Sequence, residues 1–207
     1  MRISITDPKV IPIAVKEFQK GSIVIFPTDT SYGLGTVGLK WNDRNIRQIY
    51  DIKSRPLDNP LSLLITKDML TNFVKISSQT QEILAKGWPG GLTVVLTCRS
   101  ETSQILSSLI NSNNPQKIAF RVPRHEILLE IIDKVGSPII GTSANKSGSK
   151  PKYDLISIFN ELSTEKVHLW IDGGKLPENP PSTVIDLTNP LKPILLRRGS
   201  VSIEKIF

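Results

Sequence analysis

SIVIFPTDTSYGLGTVGLK, residues 22–40, decides how this chain is read. Its first five residues form an apolar, β-branched run, the composition of a buried strand. Thr28, Asp29, Thr30, Ser31 and Tyr32 then crowd between Pro27 and Gly33, and TVGLK reads as a second short strand. Gly33, Gly35 and Gly38 spell G-x-G-x-x-G. A dinucleotide fingerprint must follow its strand directly and open a helix, whose N-terminus holds the pyrophosphate. Here six residues separate Phe26 from Gly33, and LKWNDRN follows Gly38, with a helix starting only near Asn42. The glycines therefore belong to a loop and a second strand, and the spacing is coincidence. No G-x-x-x-x-G-K-[ST] occurs, so the chain is not a P-loop protein either.

Working outward, Thr6 or Asp7 can cap a helix with Pro8 in its first turn and Gly21 at its end. Val10, Ile13, Ala14 and Phe18 give its apolar stripe. Asn42 or Asp43 opens a second helix, stopped near Lys53 because Pro56 disfavours helix before it. PLSLLI (60–65), LTVVLT (92–97), KIAFRV (117–122), PIIGT (138–142), VHLWI, STVIDL and PILLR read as strands. Further helices are predicted from Thr66 to Val74, over 79–86 with Gly87 closing, from His125 to Val135 with Gly136 closing, and from Asp154 to Leu162. Strands and helices mix without strict βαβ alternation. The expectation is one α/β domain over residues 1–207, built on a twisted mixed β-sheet with flanking helices. Asn111–Gln116 and Asp172–Pro181 are the loosest segments.

The composition, 39% hydrophobic and 22% charged, is that of a folded globular chain. The 26 Lys and Arg against 19 Asp and Glu leave a net charge of +7, which favours anionic partners such as nucleotide, phosphate or RNA. One cysteine, Cys98, allows no disulfide within the chain and fits a reducing compartment; it lies in an apolar run and reads as core. Two isolated histidines exclude a structural zinc site; His125 at a helix start and His168 in a strand read as structural. No G-x-S-x-G marks a hydrolase, and no apolar run approaches membrane-spanning length. A cytoplasmic protein with no membrane partner is expected.

Three predicted strand ends are loaded with hydrogen-bonding side chains: Thr28 to Thr30, Thr142 to Asn145, and Ser182 with Thr183. Any one of them could be turn chemistry. Cations gather at similar places. Lys53 and Arg55 bracket Ser54 at a helix end, with Pro56 and Pro60 fixing the segment beyond. Arg121 stands inside the apolar strand KIAFRV, facing away from Phe120 and Val122. Arg197 and Arg198 end PILL. Together these ends predict a pocket for a phosphate-bearing substrate, since an arginine fork binds phosphate or carboxylate and a lysine acts as a point charge. Catalysis there would rest on positioning and cationic stabilisation, as in phosphoryl or nucleotidyl transfer.

PTDTSYGLG, KSRPLDNPL, WPGGLTVVL, FRVP, GTSANKSG, STVIDL and LLRRG resemble, in order, the signature segments of the threonylcarbamoyl-adenylate synthases, the YrdC-like family. The resemblance runs from Gly21 to Gly199. It implies a twisted sheet with a concave basic cavity, and a nucleotidyltransferase. That enzyme would make threonylcarbamoyl-AMP and pyrophosphate from L-threonine, bicarbonate and ATP, for threonylcarbamoyladenosine in tRNA. The family's K-x-R and S-x-N signature falls on Lys53, Arg55, Ser143 and Asn145, implied to be catalytic. Arg55, Asn59, Ser143, Asn145 and Arg197 would contact ATP; Thr30, Tyr32, Arg121 and Ser182 would hold threonine. Mg2+ is expected with ATP, its ligands unidentified. tRNA threonylcarbamoyl-transfer proteins would act downstream, and tRNA or double-stranded RNA is a candidate partner.

The chain departs from the family pattern at Gly91, where proline is common and where glycine should loosen the turn. Leu63-Leu64 stands where some members carry a histidine, and Arg197-Arg198 replaces a frequent Arg-Pro. The end at Phe207 suggests the short form without a C-terminal domain. The competing readings are a non-catalytic RNA-binding module using the same basic concavity, and a carbamoyl-phosphate-using domain like those in hydrogenase-maturation proteins.

Overall fold

The computed structural model describes residues 1–37, 43–99 and 116–206. Gly38, the end of TVGLK, Asn42 and most of the loose segment 111–116 lie outside them. In chain order the elements are β1 (Arg2–Ser4), α1 (Val10–Gln19), β2 (Val24–Pro27), β3 (Tyr32–Val37), α2 (Asp43–Lys53) and β4 (Ser62–Leu64). There follow α3 (Leu70–Phe73), α4 (Ser78–Gly87), β5 (Leu92–Thr97), β6 (Lys117–Arg121), α5 (Glu126–Val135) and β7 (Ile139–Ser143). The last are α6 (Leu155–Phe159), β8 (Leu169–Asp172), β9 (Thr183–Asp186) and β10 (Ile194–Arg197), then a 3-10 turn at Ile203–Lys205. The strands form one sheet in the order β1-β8-β2-β3-β7-β4-β6-β5-β9-β10. Parallel pairs (β1·β8, β2·β8, β4·β6, β5·β9) mix with antiparallel ones, as the element order predicts.

The opening stretch folds as a hairpin. β3 begins at Tyr32, earlier than TVGLK suggests, and Pro27 pairs with Tyr32. The polar residues Thr28–Ser31 are thus the turn between two core strands. Thr28 closes it: its hydroxyl donates to the Ser31 carbonyl at 2.7 Å, and its backbone N–H bonds the same oxygen. Gly33 and Gly35 are there for packing. A Cβ on Gly33 would lie 2.6 Å from the Phe26 ring, and one on Gly35 would lie 2.6 Å from the Ile140 carbonyl.

Side chains alternate across the sheet, so each strand feeds two cores. One face packs Ile23, Ile25, Leu34, Leu63, Val94, Phe120 and Ile140 against α2, α3, α4 and α6. On the other face Val24, Phe26, Val37, Ile139, Leu169 and Ile171 pack beneath Phe18 of α1 and Ile131 and Ile132 of α5. Those two helices lie over β8, β2, β3 and β7. On the same face beyond β7, β4, β6, β5 and β9 present Ser62, Ala119, Arg121, Thr93, Val95 and Val184 to a cavity.

Several boundaries differ from the sequence reading. α1 starts at Val10 because Asp7 spends its groups on a turn, its carboxylate accepting from Lys9 N–H and its carbonyl from Val10 N–H. Thr66 does not cap a long helix: Lys67 to Leu70 close a turn, α3 is a single turn, and Val74 is already extended. α6 starts where expected, capped by Asp154, but ends at Phe159 rather than Leu162. His125 caps α5, its Nδ1 accepting from Leu128 N–H, and His168 Nδ1 accepts from Ile23 N–H; both roles are structural. Cys98 is buried, which pushes its thiol up to about 12.

Candidate active site

The cavity, about 280 Å³, gathers Thr30 and Tyr32 from the hairpin, Arg55 from beyond α2, and Arg121 from β6. Ser143 comes from the end of β7, Ser182 from before β9, and Arg197 from β10. Seven of the ten residues singled out from the sequence therefore line one space. Its floor is apolar, with Phe26, Leu64, Val95, Ala119 and Val184. Its walls carry the hydroxyls and guanidinium groups.

Arg121 is the most constrained of these groups. Only 8% exposed, it donates from Nη2 to Asp29 Oδ1 at 2.7 Å, from Nη1 to Thr30 Oγ1 at 3.0 Å and from Nε to the Gly90 carbonyl at 3.1 Å. Burial depresses its pKa and Asp29 opposes that shift. The anion that a buried arginine demands is thus supplied first by the chain itself. This gives Asp29, which the sequence left without a role, a defined one. Ser182 joins Thr93 Oγ1 at 2.8 Å and accepts from Arg197 Nη2 at 3.0 Å; Arg197 also grips the Ser182 carbonyl. Burial, then the charges of Arg121 and Arg55, lower the Arg197 pKa, which places three cations within electrostatic reach of one another. Arg198 does not line the cavity.

Lys53 and Arg55 part company. Ser54 between them takes a left-handed conformation, φ +48°, ending α2 and separating the two side chains. Arg55 lines the cavity and donates to the Asn59 and Pro60 carbonyls. Lys53 is 1% exposed, and its Nζ donates to the Ser143 and Asn145 carbonyls. Burial, then Arg55, brings its pKa down to about 7. The expectation that Lys53 faces phosphate is not what this geometry provides: the ammonium lies beneath the Ser143 loop and ties it down. Asn145 is also buried, its amide donating to the Lys146 and Ser149 carbonyls, with Oδ1 unpartnered. Asn59 is exposed and outside the cavity lining, and its carbonyl orients Arg55 and accepts from Tyr50. Tyr32 turns its hydroxyl to the backbone, accepting from Gly173 N–H and donating to the Gly174 carbonyl, and burial pushes it up to about 12.

The departures acquire physical meaning. Gly91 packs against Ser200. A Cβ there would lie 1.9 Å from Ser200 Oγ, and its carbonyl accepts from Thr183 N–H. Leu63 and Leu64 are both core, and Leu64, register partner of Arg121, also forms part of the apolar cavity floor. Sequence reasoning missed Thr93, Val95 and Ala119. The alternation that sets Arg121 opposite Phe120 would have placed Ala119 beside it.

The described residues hold no group of three His, Cys, Asp or Glu side chains able to bind a metal, and Asp29 is committed to Arg121. Magnesium needs no such group, since it is held largely by substrate phosphates and water. No helix among the described residues is long and apolar enough to cross a membrane.

Residues 16–199 match the Sua5_yciO_yrdC family model, described as "Telomere recombination". The chain belongs to the Sua5/YciO/YrdC family. It is 37% identical over 198 residues to the threonylcarbamoyl-AMP synthase of Pyrococcus abyssi (strain GE5 / Orsay), covering 95% of this chain and 56% of that protein. The chain thus spans little more than half the length of that curated relative. The crystal structure of P. abyssi Sua5 complexed with L-threonine superposes with a TM-score of 0.86 at 32% identity, over 100% of this chain and 59% of the other. E. coli YciO superposes with a TM-score of 0.85 at 26% identity, over 100% of this chain and 98% of the other. As a Sua5/YciO/YrdC member the chain has the expected fold, and its signature segments meet around one cavity.

Proposed function

We propose that this chain is an L-threonylcarbamoyladenylate synthase, joining L-threonine, bicarbonate and ATP. The observation that carries the reading is the convergence of Arg55, Arg121, Arg197, Thr30, Ser143 and Ser182 on one cavity. An amino acid offers a carboxylate and a nucleotide offers phosphates; both anions suit such a site. The relatives' names supply the substrate class.

In this mechanism the threonine amine loses a proton and its nitrogen takes up carbon dioxide, supplied by bicarbonate, as a carbamate. A carbamate oxygen then bonds to the α-phosphorus of ATP as the bond to the bridging oxygen breaks, and pyrophosphate leaves. Arg121, with Thr30 and Ser182 beside it, would receive the threonine carboxylate, exchanging part of its bonding to Asp29. Arg55, Ser143 and Arg197 would hold the phosphates and neutralise charge as pyrophosphate departs. Leu64 and Ala119 would present an apolar floor. Magnesium enters only as a companion of the phosphates, and no step is routed through it. Delivery of the product to tRNA threonylcarbamoyl-transfer proteins, in the cytoplasm, completes the proposal.

The test is direct detection of the product. The chain, incubated with ATP, bicarbonate and threonine, should yield a nucleotide with the mass of threonylcarbamoyl-AMP. Absence of that product together with salt-sensitive RNA binding would support the RNA-binding module instead.

A further inference from the structure

We propose that Glu161 is a positioning residue for the nucleotide: from outside the cavity, it fixes the loop that carries Ser143 into it. This rests on the reading of Ser143 as an ATP contact.

β7 ends at Ser143, and the chain then runs through Ala144–Lys152 before α6. Thr142 and Ser143 line the cavity, whereas Asn145, Lys146, Ser149 and Glu161 do not. Glu161 follows α6, its N–H bonded to the Ile158 carbonyl at 3.1 Å. Its Oε1 accepts from the Lys146 backbone N–H at 2.7 Å and from the Ser149 hydroxyl. Its Oε2 pairs with the Lys152 ammonium. Burial works to raise the pKa of this carboxyl, but the bonds from Lys152, Ser149 and Lys146 outweigh it and keep the group ionised.

The loop is held from its other side as well. Lys53 Nζ takes the Ser143 and Asn145 carbonyls, and Ser147 N–H donates to the Lys53 carbonyl at 2.8 Å. The Asn145 amide bonds the Lys146 and Ser149 carbonyls at 2.9 and 2.7 Å, and Gly148 turns the chain at φ +84°. The two braces are coupled, because the Glu161 charge favours the ammonium form of Lys53. Without Glu161, Lys146 N–H loses its acceptor, Lys152 loses its partner and Lys53 loses an attracting charge. The residues after Ser143 would then be free to shift, and a phosphate contact is sensitive to displacements well under an ångström.

The experiment measures ATP affinity by titration calorimetry, and the KM values of ATP and threonine, for Glu161→Ala and Glu161→Gln. Glu161→Ala should weaken ATP binding about tenfold, and Glu161→Gln, which keeps an acceptor oxygen, about threefold. The threonine KM should stay within about twofold and the melting temperature within about 4 °C, which a merely structural role would not allow. Unchanged ATP affinity in Glu161→Ala would overturn the proposal, as would a joint rise of both KM values with a large loss of thermal stability. If the wild-type chain binds ATP but forms no product, the reading of the reaction fails while the ATP affinities still decide the role of Glu161. A wild-type chain that binds no ATP overturns both.

Discussion

The two halves of one sheet face have the same alternation and opposite uses. Over β8, β2, β3 and β7, outward residues such as Val24, Val37 and Ile139 are sealed under α1 and α5. Over β4, β6, β5 and β9, the corresponding positions are Ser62, Arg121, Ala119, Thr93 and Val184, and they line a cavity. The hairpin turn Thr28–Ser31 stands at the boundary, bringing Asp29 and Thr30 to Arg121. The difference teaches that the site is a part of the sheet face left for ligand by the helices that cover the rest. Substitutions in the covered half should cost stability, and those in the cavity half should cost chemistry.

The sharpest attempt to break that division is Arg121→Met, which should lower threonine-dependent turnover by about a hundredfold or more. It also leaves half-buried Asp29 without its partner, at a cost of about 1–3 kcal/mol in stability. Denaturant melts should show the double variant Arg121→Met/Asp29→Asn regaining most of that stability, with activity assays showing no recovery. The mirror case is Phe18→Ala in the covered half. It should destabilise by about 3–5 kcal/mol, with kcat per folded molecule unchanged.

Smaller effects sharpen the cavity half. Arg197→Ala should raise the ATP KM about tenfold, while Arg198→Ala should stay within about twofold, as steady-state kinetics would show. The smallest concerns Lys53. Its folded pKa, about 7, lies below its ordinary 10.5. Between those values the unfolded chain binds the proton that the folded chain releases, so the Lys53 contribution to stability rises with pH across this window and is lost as pH falls towards 7. The neutral amine still has two N–H groups for the Ser143 and Asn145 carbonyls. Melts of wild type and Lys53→Met from pH 7 to 10 should show a steeper rise for wild type.

Much of this was legible in the sequence because it rests on local chemistry. SIVIF, KIAFRV and LTVVLT announced strands by composition, and Asp154, His125 and Gly136 marked helix ends by capping. Long-range pairings were not legible. Asp29 meets Arg121 across 92 positions, and no local pattern predicts such a partner. The separation of Lys53 from Arg55 was hidden in the left-handed backbone of Ser54, a residue type that seldom adopts it. The packing role of Gly33 depended on a neighbour, the Phe26 ring, that only the hairpin register supplies.

The most direct test of the central claim is pyrophosphate release from ATP by the purified chain in bicarbonate buffer, with and without L-threonine. The account predicts release that requires threonine and is lost in Arg121→Met. Release that is absent, or that proceeds equally without threonine, would contradict it.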